Sequence, residues 1–377
     1  MILAGRGHLL PERLIFRPEC GILSPSENDF KQWRTRITMA VTIKDVAAKC
    51  GLSISTVSKA FNNYADISEQ TRELVRKAAR EIGYYPNAIA RTLKTNRSYN
   101  LGVLFQAEGR NGLTHGFFAG VLDAFKREGE RHGYDLTFIN HHVGWAGMTY
   151  LEHCRYRNVD GVCIVCADFT NPEVAELAMG DIPCVTIDHT FEGRPSVQSE
   201  NVAGMRALVE HAVKLGHRRV AFVHGQRTSR VTQRRVEGFL QGMREGGLEP
   251  RPGDLVEAAY DEPEAAYQAV WTLMRGPEPP TCILLPDDRC CLGALEAAKE
   301  LGLRVPEDLS IGGFDGHAMM QLIHPRLTTI EQDARQIGTK AAELLIERIE
   351  NPQTAGSGTV EVSVRLLAGE SIGPAKG

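Results

Sequence analysis

Three short segments within residues 42–83 repeat apolar side chains at helical spacing. Thr42 and Asp45 are placed as a capping box, and Gly51 and Gly83 are placed as helix ends. The inward-facing positions predicted from this spacing are Ile43, Val46, Ala47, Cys50, Val57, Ala60, Phe61, Leu74, Val75, Ala78, Ala79 and Ile82. Helices this short are unstable alone, so the pattern predicts that they share one small core.

From about residue 100 the pattern changes to apolar strand-like runs that alternate with helical segments. The helices predicted from it lie near 116–132, 147–157, 172–179, 200–215, 231–246, 263–275, 288–302 and 333–350. Alternation of this kind predicts parallel sheets in α/β layers. About 270 residues exceed what one core commonly holds, so we expect two lobes with a ligand-binding crevice at the carboxyl ends of the strands.

Charge divides the 377 residues unevenly. The net charge is −4, yet residues 41–98 carry ten Lys or Arg against five Asp or Glu, which leaves −9 for the rest. A basic module on an acidic body fits this distribution.

The nine cysteines are an odd number in a large chain without a secretory signal pattern, so reduced thiols in a cytoplasm are expected. Cys163 and Cys166 spell C-x-x-C inside an apolar run and are interpreted as structural thiols.

The first 40 residues have no steady period, and we expect a disordered extension there, with Met39 a possible start of translation. The sequence contains no apolar run near 18 residues, which predicts no membrane span.

The second predicted helix of the basic module suits DNA binding. In a helix-turn-helix the second helix enters the major groove, and here its polar or exposed side chains would be Ile54, Ser55, Thr56 and Lys59. Lys59 could donate to guanine and Ile54 could pack on a thymine methyl. An ordinary helical hairpin is the alternative for this segment.

The following segment, "PNAIARTLK", surrounds Leu93 with basic residues. One apolar wedge with basic flanks suits a minor-groove contact that opens a base step. A flexible linker is the alternative.

Segments along most of the chain resemble the LacI/GalR family of bacterial transcription regulators. They include "TIKDVAAKCGLSISTVSKAFN", "TRELVRKAAREIGYYPNAIARTLK", "LGHRRVAFVHG", "LGLRVPEDLSIGGFDGH" and "RLTTIEQDARQIGTKAAELL". The resemblance implies a homodimer that binds a near-palindromic operator in double-stranded DNA. By position in the family motif, Ile54, Ser55 and Lys59 would read bases, Leu93 would intercalate, and Ala90 and Lys94 would lie beside it in the minor groove.

The body resembles a periplasmic-binding-protein fold that closes two lobes on a small molecule. Arg235 of "RRVEGF" and Asp315 of "GGFDGH" occupy the family's ligand-contacting positions, and Asp188 and Asp287 fall on further positions at the cleft edge. Candidate flat platforms are Phe117, Phe118 and Tyr260. Without the family pattern, the two phenylalanines could be core, Asp315 could cap a turn and Arg235 could be solvated.

The expected domains are the extension 1–40, a helix-turn-helix head 41–85, a hinge 86–99 and two lobes. The first lobe would combine 100–198 with about 331–354, and the second 199–330 with about 355–377. A leucine heptad tail is absent, so a tetramerising coiled coil is not supported.

The expected function is a ligand-responsive, sequence-specific regulator, foremost a repressor, that acts in the cytoplasm at the nucleoid. A sugar is the first expected effector and a nucleobase or nucleoside the second; the basic loop "GQRTSRVTQRR" also leaves room for an acidic one. Ligand-induced release and ligand-promoted binding of the operator both stay open. A stand-alone sugar-binding protein is the alternative, and an enzyme on the same fold is the third reading.

The sequence has no Gly-rich phosphate loop or nucleophile elbow, and no cofactor is expected. The histidines at 141, 142 and 153 and Cys154 match no metal-ligand spacing, so no metal site is expected and these residues are placed on the surface.

Overall fold

A computed structural model describes the chain at residues 41–62, 64–85, 97–106, 112–143 and 146–376. The chain divides into two compact units, Met1–Thr95 and Asn96–Gly377. The expected extension 1–40 and the hinge residues Ala90, Leu93 and Lys94 lie outside the described residues.

Three helices form the described part of the first unit: α1 (Ile43–Cys50), α2 (Ile54–Phe61) and α3 (Glu69–Ile82). The predicted caps are confirmed. The Thr42 backbone N–H donates to Asp45 Oδ2 over 2.7 Å, and Gly51 and Gly83 end their helices at φ of 65° and 70°. A left-handed conformation of this kind strains residues with a Cβ, which explains glycine at both helix ends.

The helices of this unit share one core, as the apolar spacing predicts. Its buried members are Val46, Ala47, Val57, Ala60, Val75, Ala78 and Ala79. The prediction for Leu74 is wrong, because its side chain is 49% exposed. Since each residue turns a helix by about 100°, the row that faces the core runs through 75, 78 and 79 and leaves Leu74 at its edge.

The second unit contains fourteen described strands in chain order. They are β1 (Asn100–Phe105), β2 (Asp135–Phe138), β3 (His142–Val143), β4 (Ala146–Gly147), β5 (Gly161–Cys166), β6 (Cys184–Ile187), β7 (Ser196–Ser199), β8 (Val220–His224), β9 (Leu255–Glu257), β10 (Cys282–Leu284), β11 (Ser310–Asp315), β12 (Thr328–Gln332), β13 (Thr359–Val362) and β14 (Val364–Leu367).

Its described helices are α4 (Gly116–Arg131), α5 (Tyr150–Tyr156), α6 (Pro172–Met179), α7 (Asn201–Lys214), α8 (Arg230–Glu245), α9 (Pro263–Met274), α10 (Cys290–Glu300) and α11 (Ala334–Glu350). Each begins and ends within three residues of its predicted position.

Two six-stranded sheets organise the unit into two lobes. The first sheet has the order β13-β7-β6-β5-β1-β2 and is parallel throughout. The second has the order β14-β12-β11-β10-β8-β9 and is parallel except for its antiparallel pair β12–β14. The predicted α/β class with parallel sheets is therefore confirmed.

The chain passes between the lobes three times: from β7 to α7, from β12 to α11 and from β13 to β14. The last passage differs from the boundary expected near 354, because Thr359–Val362 pairs in parallel with Ser196–Ser199 at the edge of the first sheet. Only Val364 and the residues after it join the second sheet.

Helices α7 and α8 of the second lobe pack at close range through a glycine. A Cβ on Gly238 would lie within 3.0 Å of Val202 Cα and closer still to the Val202 carbonyl oxygen. Both of these atoms belong to backbone, which cannot rotate away as a side chain can, so the position requires glycine.

Along the described residues, no helix is long and apolar enough to cross a membrane.

Candidate functional site

Helix α2 of the head presents its first turn to solvent. Ile54 is 46% exposed although it is apolar, and Ser55 beside it is exposed. Ser53 caps this helix, since its Oγ accepts a 3.0 Å hydrogen bond from the Thr56 backbone N–H. The Thr56 hydroxyl lies 2.8 Å from the same Oγ, so Thr56 is engaged in the cap. Ile54 and Ser55 are therefore the free side chains at this end.

Lys59 lies on the same face as Ser55, one turn further along α2. Its Nζ is 2.5 Å from Asp66 Oδ2, and this hydrogen bond raises the pKa of the lysine. Both side chains are well exposed, and exposed ion pairs are weak, commonly below about 1 kcal/mol. A phosphate or a base edge could therefore compete with Asp66 for this ammonium.

The candidate ligand site of the body lies where parallel strands of the two sheets end. Asp188 follows β6 of the first lobe, and Asp315 is the last residue of β11 in the second lobe. Both have a positive φ, 62° and 121°, which is costly for residues with a Cβ. Strain of about 1–3 kcal/mol of this kind is concentrated at functional sites.

Arg235 of α8 is buried, with 4% of its surface exposed, and its charge acts on both of these carboxyl groups. Its Nε donates to Asn201 Oδ1 over 2.8 Å and its Nη1 to the Pro286 carbonyl over 2.6 Å. The guanidinium carbon lies 3.6 Å from the centroid of the Phe314 ring. The arginine is therefore fixed in orientation by groups on several elements, which is how a recognition residue is preorganised.

Burial controls the ionisation of the two carboxyl groups. It raises the pKa of Asp188 to about 6, against the opposing effect of the Arg235 charge. Burial also raises the pKa of Asp315 well above its ordinary value, and the carboxyl groups of Asp287 and Asp288 add to this rise while Arg235 opposes it. Burial thus favours the neutral form of both carboxyl groups, and the Arg235 charge favours their ionised form.

Asp287, expected at the cleft edge, accepts hydrogen bonds from the backbone of two separate segments. Its carboxylate accepts from the backbone N–H of Asp261 over 2.7 Å and from that of Cys290 over 2.8 Å, at the start of α10. Asp288, next to it, is also buried and accepts from the Thr329 hydroxyl and from the His317 N–H. Burial raises the pKa of Asp288 to about 7.

The three candidate aromatic platforms differ in environment. Phe117 is 8% exposed and packs in the core of the first lobe, which is the alternative considered for it above. Phe118 is half-buried, with its ring 5.8 Å from that of Phe105. Tyr260 is half-buried beside Arg235, with the ring centroid 5.8 Å from the guanidinium carbon, and its hydroxyl lies 3.0 Å from Thr232 Oγ1.

Several residues of the site were missed from the sequence. Asn201 and Gln332 orient Arg235 and Asp315, the latter through a 2.6 Å hydrogen bond from Gln332 Nε2 to Asp315 Oδ1. Each lies just after or at the end of a strand, which is the signal that could have identified it. An aromatic group of the first lobe was also missed, in which His189 stacks on Phe169 at 4.1 Å between ring centroids.

The segment with many arginines supplies one buried arginine, Arg235, to the site. Arg227 and Arg230 are exposed, and Arg234 pairs with Glu237 over 2.7 Å. Arg235 alone among these four is buried. Apart from Arg235, the arginines of this segment therefore lie at or near the surface, where the charge of Arg230 acts together with burial to lower the pKa of His189.

Metal-ligating residues are not gathered anywhere in the described ranges: no group of three or more His, Cys, Asp or Glu side chains is placed to hold an ion there. The expectation that His153 and Cys154 lie on the surface is wrong. Both are buried, and the Asn140 N–H donates to His153 Nδ1 over 2.9 Å. Cys163 is buried too, which raises the pKa of its thiol well above its ordinary value and makes it a structural group.

Comparison with known proteins agrees with this arrangement. Residues 42–87 match the model of bacterial regulatory proteins of the lacI family, and residues 209–372 match a periplasmic binding protein-like domain. The transcriptional repressor PurR of Pasteurella multocida is 31% identical over 335 residues, which cover 88% of this chain and 98% of that protein. PurR of Escherichia coli O139:H28 is also 31% identical and covers 88% of this chain and 96% of its own.

Solved structures resemble the chain over the same span. The lac repressor dimer bound to operator and the anti-inducer ONPF has a TM-score of 0.74 at 26% identity, covering 88% of this chain and 99% of that chain. The regulator CelR in complex with cellobiose has a TM-score of 0.64 at 24% identity with the same coverage, and it supports the fold alone. With a helix-turn-helix head and a periplasmic-binding-protein-like body, the chain belongs to the LacI family of DNA-binding bacterial transcriptional repressors.

Proposed function

We propose that the chain is a ligand-responsive repressor that binds a near-palindromic operator as a homodimer and acts in the cytoplasm at the nucleoid. The observation that carries this proposal is the pairing of two sites in one chain. Ile54 and Ser55 are free at the start of the recognition helix, and Arg235 is held by hydrogen bonds in the body, where its charge acts on carboxyl groups of both lobes.

The base-reading roles belong to Ile54, Ser55 and Lys59. Ile54 offers an exposed apolar side chain for a thymine methyl, and Lys59 can exchange Asp66 for a guanine edge. The hinge roles of Ala90, Leu93 and Lys94 rest on the sequence alone.

The effector role is assigned to the cleft around Arg235, Asp188, Asp315, Tyr260 and Phe118. A sugar is the first candidate, because its hydroxyl groups would donate to the carboxyl groups while its apolar face lies on an aromatic ring. A nucleobase is the second, and the similarity to repressors named PurR is the observation that favours it.

The test is selection of duplexes from a randomised pool by the full chain, followed by titration of the selected duplex at several salt concentrations. Affinity for that duplex should fall steeply as salt rises, because Lys and Arg displace phosphate counterions. Analytical ultracentrifugation with the duplex should give two chains per duplex. Absence of sequence-specific binding at modest salt would refute the DNA-binding role and favour a stand-alone binding protein.

A further inference from the structure

An acidic side chain lies beside the candidate base-reading lysine of the head. Helix α2 carries one charged side chain, Lys59, and its Nζ lies 2.5 Å from Asp66 Oδ2. Both side chains are exposed, at 40% and 54%. The DNA backbone is a line of negative phosphates, so an aspartate at this surface weakens the general attraction to DNA. A role in recognition would offset that cost.

The turn between α2 and α3 holds Asp66 at this place. The Tyr64 N–H donates to the Lys59 carbonyl over 3.2 Å, and the Tyr64 carbonyl accepts from the Ile67 N–H over 3.1 Å. Arg72 Nη2 donates to the same Tyr64 carbonyl over 2.9 Å. Because these hydrogen bonds lie on both sides of Asp66, they fix its backbone relative to the end of α2 and present its carboxylate beside the lysine.

The two side chains form an ionised pair with hydrogen-bonding capacity to spare. The hydrogen bond between them lowers the pKa of Asp66 and raises the pKa of Lys59, so both are charged at neutral pH. A lysine ammonium donates several hydrogen bonds, and a carboxylate accepts several. One hydrogen bond joins the pair, so further donors and acceptors lie side by side at the surface.

The edge of a G·C base pair has the complementary arrangement. In the major groove guanine presents the acceptors N7 and O6, and cytosine presents the donor N4–H beside them. A Watson–Crick hydrogen bond joins O6 to N4, so these two atoms lie about 3 Å apart. The Lys59 and Asp66 atoms are separated by a similar distance, 2.5 Å. An A·T pair presents its donor and acceptor in the opposite order, with a methyl group beside the thymine acceptor.

A phosphate satisfies only one half of the pair. It can accept from Lys59 in place of Asp66, but the carboxylate then loses its donor and lies beside a second anion. A G·C edge supplies acceptors for the ammonium and a donor for the carboxylate, so each charged group exchanges its partner for a base. The pair therefore favours a base edge over the DNA backbone as the contact of Lys59.

We infer that Asp66 is a specificity-determining residue: it accepts from cytosine N4–H of the base pair whose guanine accepts from Lys59, and its charge disfavours phosphate as a partner of the lysine. The inference rests on the proposed function, since α2 must lie in the major groove for Asp66 to reach a base edge. It adds to that function a base contact from outside the recognition helix and a G·C pair of fixed orientation in each half-site.

The experiment starts from the duplex that the full chain selects from a randomised pool. Each cytosine is replaced in turn by N4-methylcytosine, in which a methyl group takes the place of the major-groove N–H. At one position of each half-site this replacement should weaken binding by the wild-type chain by about fivefold or more, measured by fluorescence anisotropy. The same replacement should weaken binding by Asp66→Ala less than about twofold, because the acceptor is already absent.

The guanine of that base pair tests the partner residue. Replacement by 7-deazaguanine removes the N7 acceptor, and it should weaken binding by the wild-type chain more than binding by Lys59→Ala. Sensitivity of the two residues at different base pairs would overturn the inference that they read one pair together.

A second variant separates the acceptor from the charge. Asp66→Asn keeps a carbonyl oxygen and loses the negative charge, so it should retain the response to N4-methylcytosine. Both Asp66→Asn and Asp66→Ala should bind random duplexes about threefold more tightly than the wild-type chain, because Lys59 is then free to contact phosphate. Unchanged affinity for random duplexes in both variants would overturn the exclusion of phosphate.

Glu81→Ala is the matched control. Glu81 pairs with Lys49 over 2.7 Å in the same head, and that pair is exposed to a similar degree. The variant makes the same change in net charge as Asp66→Ala, so it should strengthen binding of selected and random duplexes by one common factor. It should leave the response to N4-methylcytosine unchanged. Equal behaviour of Glu81→Ala and Asp66→Ala would place the effect in the overall charge of the head and overturn the inference.

Failure of the inference differs from failure of the proposed function. A wild-type chain that selects a duplex, yet responds to N4-methylcytosine no more than Asp66→Ala does at any position, overturns the role of Asp66 and leaves operator binding intact. A chain that selects no duplex refutes both.

Discussion

Replacing Arg235 with methionine removes a buried cation whose charge acts on Asp188 and Asp315. The variant loses hydrogen bonds to Asn201 Oδ1 and to the Pro286 carbonyl. Hydrogen bonds from a charged donor contribute about 1.5–3 kcal/mol each. Methionine keeps apolar contact with Phe314, which offsets part of this loss. Because the variant loses both of these hydrogen bonds and leaves their acceptor oxygens buried, we expect the free energy of unfolding to fall by about 3–5 kcal/mol at pH 8.

The loss should depend on pH with a defined sign. The pKa of Asp188 is raised to about 6 in the folded chain. A carboxyl group with a raised pKa favours the fold at low pH, and this contribution is lost as the pH rises through that value. Without Arg235 both carboxyl groups would be still harder to ionise. The destabilisation by Arg235→Met should therefore be smaller at pH 5 than at pH 8.

Arg234→Met is the matched control, since it removes the same side chain one position earlier in α8. Arg234 is partly exposed and pairs with the exposed Glu237, so its loss should change stability by no more than about 0.5 kcal/mol. Urea denaturation of the full chain, followed by far-ultraviolet circular dichroism at pH 5 and pH 8, measures both variants. Equal losses in the two variants, or an Arg235→Met loss that grows at pH 5, would refute the reasoning.

Three further predictions concern other parts of the chain. Lys59→Ala should relax base preference by about 1–3 kcal/mol at one operator position if the lysine contacts a base, and equal losses across a panel of duplexes would assign it to phosphates instead. Leu93→Ala should weaken specific operator binding and DNA bending, measured by gel shift, and should leave effector affinity in calorimetry nearly unchanged. Gly238→Ala should lower stability by about 1–3 kcal/mol or more, because its Cβ meets the Val202 backbone; an unchanged melting temperature would contradict this packing argument.

The fold was largely accessible from the sequence because periodicity is a local property. Helix positions followed from the spacing of apolar residues, and the head core failed only at Leu74, where a one-position difference in helical phase decides exposure. The edge position of β13 was not accessible, because parallel pairing between residues 359–362 and 196–199 is set by contacts across 163 positions.

The site was less accessible than the fold. Periodicity alone would leave Arg235 in solvent, and its burial depends on Asn201, Pro286 and Phe314, which come from distant segments. Asp287 looked like a ligand residue from its place after a strand. Its oxygens are instead taken by backbone N–H groups of Asp261, in the loop before α9, and of Cys290, at the start of α10. Whether a carboxylate binds a ligand or the backbone depends on three-dimensional geometry, which the spacing of residues along the sequence does not specify.

The three passages of the chain between the lobes restrict how the cleft can move. A single connection would allow the lobes to twist and slide as well as rotate, whereas three connections restrict these motions. With connections after β7, β12 and β13, sliding and twisting of one lobe against the other would strain at least one connection, and rotation remains as the soft motion. A small molecule that changes the distance between Asp188 and Asp315 would therefore change the angle between the two lobes. The displacement produced by a rotation increases with distance from the axis, so parts of the lobes far from the connections would move more than the residues that line the cleft.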